Sequence, residues 1–252
     1  MKSDTLYFIT GLPRSGTSVI TNILNQNPKI HGEVNGSLAS MFNAVHLNWK
    51  TLSNGSSDIN LKRNVLKGLI DGFYANNDRP IIFDRNINWI PSFSILESVL
   101  EKKIKVLICV RNPAEILTSY EKSRKENPLD MSSADANLKD GTSIAARAYF
   151  YAGPDGILGT SHRNLKDAVT MGYLDRCLFI DYGRYCGNPK SQTKRIYEFF
   201  DLPEFEHDFK NITGENMGTR NELKKTTVNC VEYLGLDLFE QYNREIFWNA
   251  WV

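Results

Sequence analysis

The sequence has few cysteines, no long apolar run and almost no net charge, and each lack excludes a class of protein. Its four cysteines lie far apart in 252 residues and form no C-x2-C pair, which argues against a zinc site or a disulfide framework. We therefore expect free thiols, with Cys109 and Cys177 in or beside apolar strands. Without a membrane-length apolar run or a signal-peptide pattern, the expected protein is soluble and cytoplasmic, with no stable membrane anchor.

The charge balance and the chain length further limit the class of protein and the number of domains. The 30 Lys and Arg residues balance 29 Asp and Glu residues, for a formal charge of +1, so no extended surface for nucleic acid is indicated. A local basic pocket stays compatible with this balance. A chain of 252 residues with 41% hydrophobic content can bury a full core in one large α/β domain or two small ones. We predict one domain over residues 1–252.

Strand-like and helix-like segments alternate along the chain. Four apolar runs predict strands that are covered on both faces: residues 6–10, 80–84, 105–110 and 177–181. Helical patterns lie between and after them: residues 17–26, 61–74, 90–100, 113–125, 143–152, 164–171 and 189–200. This order predicts an α/β fold, a doubly wound parallel sheet of the P-loop type flanked by helices. Its ligand should bind at the carboxyl ends of the strands.

The segment after the first predicted strand is the most informative. Gly11, Gly16, Thr17 and Ser18 have the spacing of a phosphate-binding loop, but Thr17 stands where that loop has its lysine. The backbone N–H groups of such a turn, together with the dipole of the following helix, favour an anion. Arg14 adds a positive charge within the loop. The missing lysine argues against a Mg-bridged triphosphate as the bound group.

The loop PRSGTS, the helix after it and an N-P-x-x-x-G-E segment at residues 27–33 resemble the sulfotransferases that use 3′-phosphoadenosine-5′-phosphosulfate (PAPS). The similarity is greatest to the tyrosylprotein and bacterial branch and spans residues 5–210. It implies transfer of a sulfuryl group from PAPS to a hydroxyl or amine acceptor, with release of 3′,5′-ADP. The loop residues that would hold the 5′-phosphosulfate are Arg14, Ser15, Gly16, Thr17 and Ser18.

Two later segments extend the resemblance. Arg111 follows a predicted strand and Ser119 comes eight positions later in the next helix. The resemblance implies that they hold the 3′-phosphate, through a planar guanidinium fork and a hydroxyl. Taken alone, an arginine at a strand end paired with a carboxylate such as Glu115 is an equal alternative. Tyr182 would contact the adenine nucleotide or simply cap the core.

The resemblance also implies the catalytic residues. Glu33 would be the general base, in a segment that reads Gly-Glu-Val where the tyrosylprotein branch has Gly-Glu-Glu, and partial burial would keep its pKa useful. His31 and His46 are rival bases, because the cytosolic branch uses a histidine. Arg85 aligns with a lysine that contacts the transferring group, so Arg85 and Arg14 would stabilise the leaving oxygen without metal.

Asp84 supports a different interpretation. It ends an apolar run like the Walker B strand of kinases, where an aspartate supports Mg²⁺. The alternatives are therefore a P-loop small-molecule kinase using Mg-ATP and a non-catalytic nucleotide-binding module. Arg220, Lys224 and Lys225 stand where relatives close a loop over the 3′-phosphate, or they form a solvated charge run. The acceptor (sugar, peptide, lipid or metabolite) and a homodimer both stay open.

Overall fold

A parallel sheet of five strands organises the computed structural model, which describes residues 5–129, 135, 138, 141, 143–214, 223 and 229–243. The strands are β1 (Thr5–Gly11), β2 (Ile30–Glu33), β3 (Ile81–Arg85), β4 (Val106–Val110) and β5 (Cys177–Asp181). Their order across the sheet is β2-β3-β1-β4-β5, and all pairs are parallel. Because β1 lies in the centre with crossovers to both sides, the loop after it opens at the switch point of the sheet.

Helices cover both faces of this sheet. The α-helices before β4 are α1 (Thr17–Leu24), α2 (Ser37–Leu47), α3 (Trp49–Leu52), α4 (Ile59–Phe73) and α5 (Phe93–Leu100). Those after β4 are α6 (Pro113–Glu126), α7 (Ile144–Ala152), α8 (Ile157–Thr170), α9 (Tyr182–Gly187), α10 (Pro189–Phe199), α11 (Cys230–Leu234) and α12 (Leu236–Tyr242). Short 3-10 helices at Ile87–Ser92 and Leu174–Arg176 precede α5 and β5.

Two buried clusters lie on opposite faces of the sheet. The strand residues that face the cluster with α1 and α10 are Ile9, Ile30, Phe83, Leu107, Cys109 and Ile180. Those that face the larger cluster with α2, α4 and α5 are Leu6, Phe8, Ile82, Val106, Ile108, Val110 and Phe179. Apolar side chains therefore point both ways from each central strand, which is why these strands read as continuous apolar runs.

The predicted fold class is confirmed, with one omission. The four predicted strands agree with β1, β3, β4 and β5 to within a residue at each end. Strand β2 was not predicted, because it is an edge strand of only four residues, IHGE, in which only one side chain is strongly apolar. Its register places Glu33 beside Asp84, so the missed strand carries one of the predicted catalytic residues.

The cysteines were expected to be free thiols, and no membrane-spanning segment was expected. All four cysteines are free, and burial raises the pKa of the Cys109 thiol to about 12. Within the described ranges, no helix combines the length and the hydropathy needed to cross a bilayer.

Candidate active site

The loop after β1 is fixed by its own side chains. The Ser15 hydroxyl donates to the carbonyl oxygens of Leu12 (2.6 Å) and Cys109 (2.9 Å), and Ser15 is fully buried. Gly16 has φ 84°, and a Cβ there would lie 2.1 Å from the ring of Tyr182. Glycine is therefore required by conformation and by space. Since the Ser15 hydroxyl faces the protein, only its backbone N–H is left for an anion.

Tyr182 forms one wall of this loop. It is half-buried at the first position of α9, with its ring against Gly16. The guanidinium carbon of Arg111 lies 5.3 Å from the ring centroid, within cation–π range. Tyr182 was expected either to contact the adenine nucleotide or to cap the core. The structure places it at the loop and in neither buried cluster.

Arg85 connects three elements on the other side of the loop. Its Nε donates to the Thr17 hydroxyl at 3.0 Å, and its Nη1 donates to the carbonyl of Val34 at 2.9 Å. Burial lowers the pKa of Arg85, yet a guanidinium stays charged at neutral pH. Ser18 follows Thr17 in the first turn of α1 and is half-buried. The result is a fixed positive charge beside the N-terminus of α1.

Glu33 ends β2, one residue before Val34, whose carbonyl accepts from Arg85. Its Oε1 accepts from the backbone N–H groups of Asn35 (2.9 Å) and Gly36 (3.3 Å), and its Oε2 lies 3.7 Å from Nε2 of His31. The nearby His31 and the two N–H groups lower the pKa of Glu33, although partial burial opposes them. Partial burial was expected to keep this pKa useful, but the net shift is downward. Glu33 is therefore ionised at neutral pH and able to accept a proton.

The two histidines that are alternative bases lie in different parts of the structure. His31 lies on the same face of β2 as Glu33, with its ring edge-to-face against Tyr74 at 5.8 Å. His46 lies in the last turn of α2, roughly 13 Å along the helix from its start near Glu33. Burial and the charge of Lys62 lower the pKa of His46. Only His31 is brought to the site.

Asp84 is a core residue. It is fully buried, with Tyr74 donating to Oδ2 and the Trp89 indole donating to Oδ1 at 2.6 Å. Burial raises its pKa to about 6. Because both carboxylate oxygens are bonded within the core, Asp84 does not present an open oxygen to a metal ion as a Walker B aspartate does.

The residues predicted to hold the 3′-phosphate lie near the end of β4. Arg14 donates from Nε to the Ser119 hydroxyl at 3.0 Å, and Arg111 donates from Nη1 to the backbone carbonyl of Arg14 at 3.2 Å. Arg111 also donates from Nε to Glu115 at 2.9 Å. Arg111 is thus paired with Glu115 and also lies against the loop.

The sequence matches the family model of the sulfotransferase domain over residues 4–232. The chain belongs to the sulfotransferase family. Sulfuryl transfer is the activity of this family, and the kinase alternative is not favoured.

Solved structures share the fold of this sulfotransferase. They include the sulfotransferase domain from the curacin biosynthetic pathway, at 14% identity over 98% of this chain and 99% of that chain, with a TM-score of 0.60. The sulfotransferase domain from the Synechococcus PCC 7002 olefin synthase is 16% identical over 97% and 96%, with a TM-score of 0.56. Mouse sulfotransferase SULT7A1 complexed with PAP is 15% identical over 97% and 86%, with a TM-score of 0.51. A search of curated proteins found no match.

An open groove beside Glu33 was not predicted. It has a volume of about 710 Å³ and follows the outer edge of β2. Its lining residues are mostly polar: Asn22, Asn25, His31, Gly32, Glu33, Val34, Phe73, Tyr74, Asn76, Asn77, Asp78, Arg79 and Gly214. The loop at residues 76–79 carries no recognisable motif, so only the missed strand could have indicated this surface of the sulfotransferase. Arg220, Lys224 and Lys225 lie outside the described residues.

Proposed function

We propose that this sulfotransferase uses PAPS as its donor, transfers the sulfuryl group to a hydroxyl or amine acceptor, and releases 3′,5′-ADP. The observation that carries the proposal is the presence of two separate basic groups on the two sides of one anion-binding loop. Arg85 lies on the β2 side, whereas Arg14 and Arg111 lie on the α6 side. This arrangement fits a donor with two anionic ends, a 5′-phosphosulfate and a 3′-phosphate. The mouse structure is a complex with PAP, which is 3′,5′-ADP, and this supports the same donor.

Each basic group would hold one end of the nucleotide. When bound, PAPS supplies the sulfuryl group and the leaving nucleotide. The loop N–H groups, with the fixed charge of Arg85 beside Thr17, would hold the 5′-end and stabilise the negative charge of the leaving oxygen, helped by Arg14. Arg111 and Ser119 would hold the 3′-phosphate after Arg111 exchanges Glu115 for phosphate oxygens. Tyr182 offers a ring face between the two ends.

Glu33 would take the proton of the acceptor. Two backbone N–H groups hold Oε1, which leaves Oε2 directed toward His31 and the groove. An acceptor lying in the groove would reach Oε2 from solvent. A carboxylate that is ionised at neutral pH is ready to accept this proton without a prior deprotonation step.

Two measurements test the proposed function. Thermal unfolding with 3′,5′-ADP in the presence of EDTA should show stabilisation, about 2.7 kcal/mol at a ligand concentration of 100 Kd. Stabilisation by Mg-ATP alone would instead support a kinase. Transfer of label from [³⁵S]PAPS to members of a panel of sugars, phenols, peptides and amines should then be detectable with EDTA present. Nucleotide binding without transfer to any acceptor would support the non-catalytic module.

A further inference from the structure

His31 and Glu33 form a pair on the edge of the sheet. They are two positions apart in β2, so both side chains point to the same face. Nε2 of His31 and Oε2 of Glu33 are 3.7 Å apart, and the two side chains are 33% and 23% exposed. This separation is an ion-pair distance and is longer than a hydrogen bond. Edge-to-face contact with Tyr74 keeps the imidazole over the strand.

The surroundings of the pair differ on its two sides. On the buried side, Asp84 of β3 and Tyr74, just after α4, are hydrogen-bonded to each other. On the open side is the groove, where Asp78 and Arg79 are the other charged groups among the described lining residues. Both His31 and Glu33 therefore line the open groove.

General-base catalysis by a carboxylate leaves a proton to be removed. The contacts that lower the pKa of Glu33 make its protonated form short-lived, and it must be ionised again before the next turnover. An ordinary imidazole titrates about two pH units above an ordinary glutamate, so a proton prefers the imidazole by about a hundredfold. A histidine beside the base is thus a suitable receiver.

Resting on the proposed function, we propose that His31 is a positioning residue that acts through Glu33 and receives the proton that Glu33 takes from the acceptor. The acceptor O–H or N–H bond breaks as its heteroatom bonds to sulfur. The bond from sulfur to the bridging oxygen breaks, and its electron pair leaves on the nucleotide. The proton passes to Oε2 of Glu33, then to Nε2 of His31, by ring rotation or through one bridging water, and finally to water in the groove.

Kinetics with added imidazole test this role, using the best acceptor from the panel. His31→Gln should lower kcat about tenfold, less than the ~10²-fold or greater loss from Glu33→Gln. Affinity for 3′,5′-ADP should change less than about twofold in either variant, since neither side chain holds the nucleotide. Free imidazole, which can enter the groove, should restore turnover in His31→Gln and should not restore it in Glu33→Gln. His46→Gln is the matched control and should behave as wild type with or without imidazole.

The pH profile adds a second kinetic signature. The acid limb of the kcat–pH profile should move to a different pH in His31→Gln, because the proton receiver beside Glu33 is then missing. A merely structural His31 would give neither this movement nor rescue. His31→Asn, a smaller substitution, should repeat the result, and melting curves of both variants should match wild type. Imidazole rescue of Glu33→Gln, or its failure in both folded His31 variants, would overturn the proposal.

An observation without turnover separates this inference from the proposed function. In the resting protein, ¹³C NMR should show that the Glu33 carboxyl titrates at higher pH in His31→Gln than in wild type, because His31 is the largest cause of its lowered pKa. An unmoved titration would refute the pairing whether or not sulfate is transferred. Failure to transfer sulfate to any acceptor, with the titration moved, would refute the proposed function and with it the proton route.

Discussion

The two sides of the anion-binding loop hold their charges in different ways. On the β2 side, Arg85 is bonded to a threonine hydroxyl and a backbone carbonyl, and Glu33 to two backbone N–H groups. On the α6 side, Arg14 is exposed and bonded to a serine hydroxyl, while Arg111 is paired with a carboxylate that is 43% exposed. We call these the fixed side and the exchangeable side.

The difference follows from what each side must do. On the fixed side, charge develops during the reaction, and groups that are already oriented need no reorganisation at that moment. On the exchangeable side, a phosphate must replace Glu115, and an ion pair whose carboxylate is 43% exposed costs less to break than a fully buried one. Substitutions on the fixed side should therefore reduce turnover or stability strongly, and those on the exchangeable side should alter nucleotide affinity.

The largest effect is expected for Arg85. Arg85→Ala should lower turnover by ~10²–10³, because it removes a fixed charge from the leaving oxygen. Arg85→Lys should lower turnover less, since lysine keeps the positive charge but lacks the guanidinium fork that contacts both Thr17 and Val34. Steady-state kinetics measure both. The control is Arg176→Ala, which breaks an ion pair with Glu97 away from the loop. Equal losses from Arg85→Ala and Arg176→Ala would contradict a special role for the fixed side.

The second effect concerns stability and comes from Asp84, which is buried in the core next to Arg85 in the sequence. Its pKa is raised from 3.8 to about 6, so folding favours its protonated form. Its contribution to stability is complete below pH 4 and is lost as the pH rises through 6, by about 3 kcal/mol in total. Urea unfolding between pH 4 and pH 7 should show this loss in wild type relative to Asp84→Asn, which cannot ionise. Parallel pH curves for the two proteins would disprove the shift.

Arg111 tests the exchangeable side. Arg111→Ala should weaken 3′,5′-ADP by about ten- to a hundredfold, since charge-assisted bonds to phosphate contribute ~1.5–3 kcal/mol. The affinity for 5′-AMP, which lacks the 3′-phosphate, should change much less. Isothermal titration calorimetry gives both values. If the two nucleotides weaken equally, Arg111 does not hold the 3′-phosphate.

Glu115 should give the smallest effect, of opposite sign. Glu115→Gln removes the carboxylate that occupies Arg111, so 3′,5′-ADP should bind up to about fivefold more tightly, in line with the ~0.2–1 kcal/mol of ion pairs at protein surfaces. Glu126→Gln, on the same helix but paired with Lys122, should leave the affinity unchanged. Weaker binding by Glu115→Gln would mean that the pair positions Arg111 and does not compete with phosphate.

The fold and the exchangeable side were largely predictable, but much of the fixed side was not. Apolar runs gave β1, β3, β4 and β5, and the glycine spacing gave the loop, because these signals are local. Edge strand β2 has too few apolar residues to show a period, so the groove along it could not be anticipated. The Walker B resemblance of Asp84 was misleading, since its bonds to Tyr74 and Trp89 come from other elements.

The sequence by itself determined the order of strands and helices, the anion-binding loop and the residues available for chemistry. Gly16 shows why: its φ of 84° is a local backbone requirement that the amino acid type reveals. The tertiary structure alone decided which charges meet. Arg14 and Ser119 are 105 positions apart, Arg85 and Thr17 are 68 apart, and each pair is joined by one hydrogen bond of 3.0 Å. Such contacts depend on sheet order and register, because parallel strands bring distant segments to one edge.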